Sequence, residues 1–117
     1  MRVHYLEIVT KDVDMVCATY TRLHGVTFSE GDPGLGNART ASLPGGGMLG
    51  VRAPMHETEE PVVRPYLLVA DIGSAVAAVV EQGGEIAHPP LALPGHGTFA
   101  IFNQGGLHHG LWQQTPE

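Results

Sequence analysis

Two adjacent histidines, His108 and His109, stand near the end of a chain that carries seven. Imidazoles titrate near neutrality and ligate metals, so the doublet raises acid–base or metal chemistry at once. Glu7 sits in an otherwise apolar opening segment, where a carboxylate must be hydrated, paired or functional. It is a candidate general base, or the partner of Arg64 or Arg52 across a sheet. Arg64, just ahead of Pro65, could clamp a carboxylate or phosphate bidentately. Tyr5, Tyr66 and Trp112 could stack on a planar ligand. His96 lies near the hinge of the Pro/Gly segment HPPLALPGHG, read as a loop able to cover a cavity mouth.

Those residues belong to a chain of ordinary globular composition. Of 117 residues, 43% are hydrophobic and 15% charged, enough apolar material for one core. Six basic residues against twelve acidic ones, net −6, disfavour nucleic acid and anionic membrane as partners. A single cysteine rules out an internal disulfide and a Cys-rich zinc site. With no long apolar run and a polar first segment, a cytoplasmic location is expected.

The elements that must position the candidates are written twice. YLEIVTKDVDMVCATYTRLHG near the start matches YLLVADIGSAVAAVVEQGG further on, with Asp12 aligned to Asp71 and Gly25 to Gly84. Each copy reads as a strand, a helix and three short strands. In the first, Val13, Val16, Cys17, Tyr20 and Leu23 step at helical spacing behind Asp12 as the N-terminal acid, with Gly25 as terminator. The strands predicted after it are VTF, ARTASL and MLGVRA. In the second copy Ile72, Val76, Val79 and Val80 form the helix stripe, and EIA, TFAIF and LHHGLWQ the strands. The expected organisation is one α+β domain over 1–117, with modules at 1–53 and 62–114 and a linker at 54–61. The two βαβββ modules would form a curved mixed sheet around a cavity.

Strand phase then assigns faces. Leu6 and Ile8 suit a helix-covered face, which turns Tyr5 and Glu7 the other way. Arg64 and Tyr66 share that second face in the later copy, as do His108, Gly110 and Trp112 in the last strand. Polar and aromatic groups gathered on one concave surface suggest a small-molecule cavity. His108 and His109, as neighbours on a strand, point to opposite faces and do not chelate one ion together. A register slip would make His4 and His109 the inward pair instead.

Paired βαβββ modules with a closing GGLHHGLWQ strand resemble the vicinal oxygen chelate superfamily, the glyoxalase, bleomycin-resistance and extradiol-dioxygenase group. The resemblance spans Val3 to about Gln113. It implies a metal held from the first and last strands of each module. Those positions fall here on Tyr5 (with Glu7 two residues on), Arg64 or Tyr66, Gly50 and Gly110. Arginine and glycine supply no ligand atom, so no metal or other cofactor is expected. A Glu7/His108 site would need a third ligand such as His96 to hold a divalent ion.

Three functions follow from the resemblance and the residues. The first is a lyase- or isomerase-type enzyme moving a proton on a small polar substrate. Glu7 and His108 would be its catalytic pair, and Tyr5, Arg52, Arg64, Tyr66, His96 and Trp112 its binding residues. The second is a metal-free protein that binds or sequesters a small molecule. The third is a metal-dependent dioxygenase or lyase. Open strand edges on so small a chain favour a homodimer.

Overall fold

The computed structural model describes residues 1–116. Its elements are β1 (Val3–Val9), α1 (Val13–His24), β2 (Gly31–Asp32), β3 (Ala38–Ser42), β4 (Met48–Arg52), β5 (Val62–Leu68), α2 (Ile72–Glu81), β6 (Glu85–Leu93), β7 (Gly97–Gln104) and β8 (Leu107–Gln113). Two compact units divide the chain. The first holds Tyr5–Val63, and the second holds Met1–His4 with the chain from Arg64 onward.

In the first unit the strands run in the order β2-β3-β4-β1, with β1 parallel to β4 and the other pairs antiparallel. Leu6 and Ile8 face α1, where Ile8, Leu49, Val51 and Cys17 make a core flanked by Val13, Val16, Tyr20 and Phe28. Gly25, left-handed at φ 68°, ends α1 and donates its N–H to the Thr21 carbonyl. Asp12 precedes α1 without a side-chain capping bond; its own N–H goes instead to Thr10 Oγ1. Leu23, expected in the buried stripe, is exposed in the last turn of the helix.

The predicted VTF strand does not form. Val26–Phe28 is irregular chain that lays Phe28 on the core, and the short β2 lies further along. A turn of 3₁₀ helix at Pro33–Leu35 follows, with the Asp32 carboxylate accepting from Gly34 N–H. GDPGLGNA is thus a structured turn.

The second unit repeats the plan as β5-β8-β7-β6, with β5 parallel to β8. Asp71 caps α2 by accepting from Ser74 N–H, and α2 packs through Ile72, Ala75 and Val76 on Ala100, Phe102 and Leu111. HPPLALPGHG is not a loop. β6 runs on through Leu93, paired with β7, and only Pro94–His96 turns. Pro89 and Pro90 are tolerated because β6 is the edge strand and its register shifts around them. Among the described residues no helix is long and apolar enough to cross a membrane.

Candidate functional site

In the first unit the face turned away from α1 carries Tyr5, Glu7 and Arg52, all buried. The register sets Glu7 opposite Gly50 and Val9 opposite Arg52. Arg52 Nε donates to Glu7 Oε2 at 3.0 Å. Its two terminal nitrogens grip Glu59, Nη1 to Oε1 at 2.8 Å and Nη2 to Oε2 at 2.7 Å. Glu59 also accepts from Met55 N–H at 2.8 Å, which ties the 53–61 segment to the end of β4. Of the two arginines open to Glu7 in the sequence, Arg52 makes this bond. Glu59 was not singled out there, because an acid in HETEEP carries no signal of its partner.

Electrostatics follow from this network. Hydrogen bonds from Arg52, helped by the Met55 N–H and opposed by burial, hold the Glu59 carboxyl down to about 2 from its ordinary 4.5. The Glu59 hydrogen bonds, ahead of the Glu7 charge, raise Arg52 against the opposing effect of burial. In the second unit burial, then the Arg2 charge, lowers His4 below 6.5. Both His4 and Glu59 take up protons more readily in the unfolded chain, so both lose stability on the acid side. Their contribution is complete above 6.5, erodes below it as unfolded His4 protonates, and drops further from 4.5 down through about 2 as Glu59 does. The Glu59 part is on the order of 3 kcal/mol at most. Urea midpoints should therefore fall with pH in two stages, and Glu59→Gln should remove the lower one. A midpoint flat below 4.5 would show that the Glu59 contacts contribute nothing.

The second unit presents a more varied face away from α2. Residues paired across its strands form rows. One holds Tyr66, Gly110, Ile101 and His88, and the next holds Leu68, Trp112, Phe99 and Leu91. On the other side Glu85, Asn103 and His108 stand abreast, with Arg64 two residues ahead of Tyr66. Side chains connect the rows. Arg64 Nη1 donates to the Tyr66 hydroxyl at 3.4 Å. Tyr66 meets Trp112 and Phe99 edge-on, with centroids 5.8 and 6.1 Å apart, and Phe99 stacks on His88 at 4.8 Å. The His4 ring leans on Trp112 at 5.6 Å.

Other expected residues take distinct places. His108 is exposed beside the turn of the β7–β8 hairpin, opposite Asn103. His109 turns to the α2 side and stacks on Phe102 at 4.7 Å, so the doublet does split between faces. His96 contributes its backbone, the carbonyl accepting from Trp112 Nε1 at 3.0 Å. Phe99 and His88 were missed; their rows depend on the β6–β7 pairing that the loop reading concealed. Cys17 is a core residue whose thiol is pushed up, by burial foremost.

The positions that hold a metal in the resembled superfamily can be tested for fit. A Cβ at Gly50 would run into the Tyr5 hydroxyl, and one at Gly110 into the Tyr66 ring. Each unit thus fills its last-strand position with a tyrosine above a glycine. Tyr5, Arg64, Gly50 and Gly110 do not compose a donor set for that ion. Among the described residues no group of three or more His, Cys, Asp or Glu is placed to hold a metal.

No protein-family pattern and no curated sequence matches the chain. Solved structures do. A methylmalonyl-CoA epimerase from Mycobacterium tuberculosis is 15% identical over 97% of this chain and 88% of its own, with a TM-score of 0.75. A hypothetical protein from Bacillus halodurans C-125 is 13% identical over 99% of this chain and 96% of its own, with a TM-score of 0.79. A variant methylmalonyl-CoA epimerase from Streptomyces coelicolor, in complex with 2-nitronate-propionyl-CoA, is 16% identical over 99% of both chains, with a TM-score of 0.69. These likenesses establish the fold.

Proposed function

We propose that this chain, which has the fold of the vicinal oxygen chelate superfamily, binds a small planar anion on the non-helical face of its second unit, without the superfamily's usual metal. Arg64 carries the reading. The residue is 8% exposed, and its guanidinium touches the Tyr66 hydroxyl at the head of a continuous run of rings. A guanidinium screened from water favours a carboxylate, and the rings offer edges and faces to a flat ligand. Arg64, Tyr66 and Trp112 form the buried floor of this face, and half-buried Phe99, Ile101 and His88 its open part.

Trp112 is the only tryptophan in the chain, so its emission reports on this face directly. Titration with benzoate and cinnamate should change that emission saturably. Arg64→Met should weaken binding by at least about tenfold, the worth of one charge-assisted hydrogen bond. Silence to both carboxylates in fluorescence and calorimetry would end the reading, as would an Arg64→Met protein that binds equally well.

Likeness in fold to methylmalonyl-CoA epimerases supports a second reading, a proton-transfer enzyme with Glu7 as base. The Arg52 bond counts against it, because Glu7 Oε2 is already engaged. Deuterium exchange at the α-carbon of methylmalonyl-CoA in heavy water, abolished by Glu7→Gln, is the outcome that would favour it. Edge strands β2 and β6 make a homodimer the proposed assembly, read by light scattering.

A further inference from the structure

We infer that the ligand of this face carries a hydrogen-bond donor at the end opposite its acidic group, and that His88 selects it. The inference rests on the anion site proposed above and names the ligand class that site takes. His88 Nδ1 lies 2.7 Å from the Pro89 carbonyl oxygen. A carbonyl only accepts, so in the neutral ring the proton sits on Nδ1 and the lone pair is left on Nε2. Stacking on Phe99 at an interplanar angle of 30° fixes the ring plane, and the short Nδ1 bond fixes the tautomer. Nε2 has no protein partner among the described residues. His88 is thereby a pre-set acceptor beside the aromatic run.

Its neighbourhood has the same character. Asn103, one row along on β7, has an Oδ1 screened from solvent and without a partner among the described residues. A buried acceptor in that state favours any donor brought to it. The face is therefore asymmetric: cationic at Arg64 on β5, aromatic through Tyr66, Trp112 and Phe99, and accepting at His88 and Asn103 on β6 and β7. Tyr66 and His88 are separated by two ring contacts, of 6.1 and 4.8 Å, which suits a ligand longer than a single ring. A hydroxyaryl or aminoaryl acid meets all three requirements. A plain aryl acid leaves the acceptors unmet.

The test compares cinnamate, 4-hydroxycinnamate and 4-methoxycinnamate on the full chain by Trp112 fluorescence and calorimetry. The wild-type protein should bind the hydroxy acid about tenfold more tightly than the methoxy acid, which has no donor. His88→Phe keeps the stack on Phe99 and removes the acceptor. It should erase the hydroxyl preference, bringing the ratio of hydroxy-acid to methoxy-acid affinity to within about twofold of one whatever happens to the affinities themselves. Equal binding of the hydroxy and methoxy acids by the wild-type protein would overturn the inference while the anion site stands. A preference that survives His88→Phe would overturn the role of His88. Failure of all three acids to bind would overturn the anion site and this inference with it.

Discussion

Arg52→Met should cost the chain about 3–5 kcal/mol of stability, the price of leaving buried carboxylates without the guanidinium they were arranged around. Glu7 is 7% exposed, and Arg52 is the residue that bonds its Oε2 and both oxygens of Glu59. Against a total of roughly 5–15 kcal/mol for a folded domain, that loss is large enough to read directly from a urea midpoint. The partner experiment is Arg52→Met with Glu7→Leu. A buried ion pair replaced by apolar groups of similar volume is often neutral, so the double variant should recover more than half of the loss. Glu59, at the edge of the network, then hydrates. A single Arg52→Met protein within about 1 kcal/mol of wild type would mean that Glu7 does not depend on Arg52.

Gly110→Ala is the second large effect. The added Cβ would meet the Tyr66 ring near its base, beside the Pro65 carbonyl, and neither can swing aside as the tip of a flexible chain would. Overpacking of this kind costs about 1–3 kcal/mol. It should also displace the ring that Arg64 touches, so anion affinity should fall with stability. In a Tyr66→Ala background, which lacks the Cγ and Cδ2 atoms that the new Cβ meets, Gly110→Ala should cost distinctly less stability, and anion affinity should not return. An unchanged midpoint for the single variant would show that Tyr66 moves freely, and the floor of the proposed site would lose its definition.

Much of this was open to inspection in the chain itself. The repeat, both helices and the opposite facing of His108 and His109 follow from spacings of a few residues, since helical and strand periods act locally. Phase also placed Tyr5 and Glu7 on one face of the first unit, and Arg64, Tyr66 and Trp112 on one face of the second. The strand boundaries suffered where local signals conflicted. Pro89 and Pro90 argue for a loop, yet an unpaired sheet edge does not need their missing N–H groups, so β6 continues through them. Val26–Phe28 has the composition of a strand, but Phe28 contributes more by packing on the core than by pairing.

Which groups touch was a different matter. Glu7 and Arg52 are 45 residues apart, and their bond exists because the parallel pairing of β1 with β4 sets Val9 beside Arg52. The acid in the 53–61 segment that completes the network, and the imidazole on β6 that faces the aromatic run, depend likewise on pairings between distant strands. By itself the sequence determined the repeated plan and the face each side chain occupies, because both arise from short-range backbone geometry. Tertiary structure alone decided that Glu7 is bonded to Arg52 and that His88 joins Phe99, Tyr66 and Arg64, because register between strands far apart in the chain is set by packing of the whole unit.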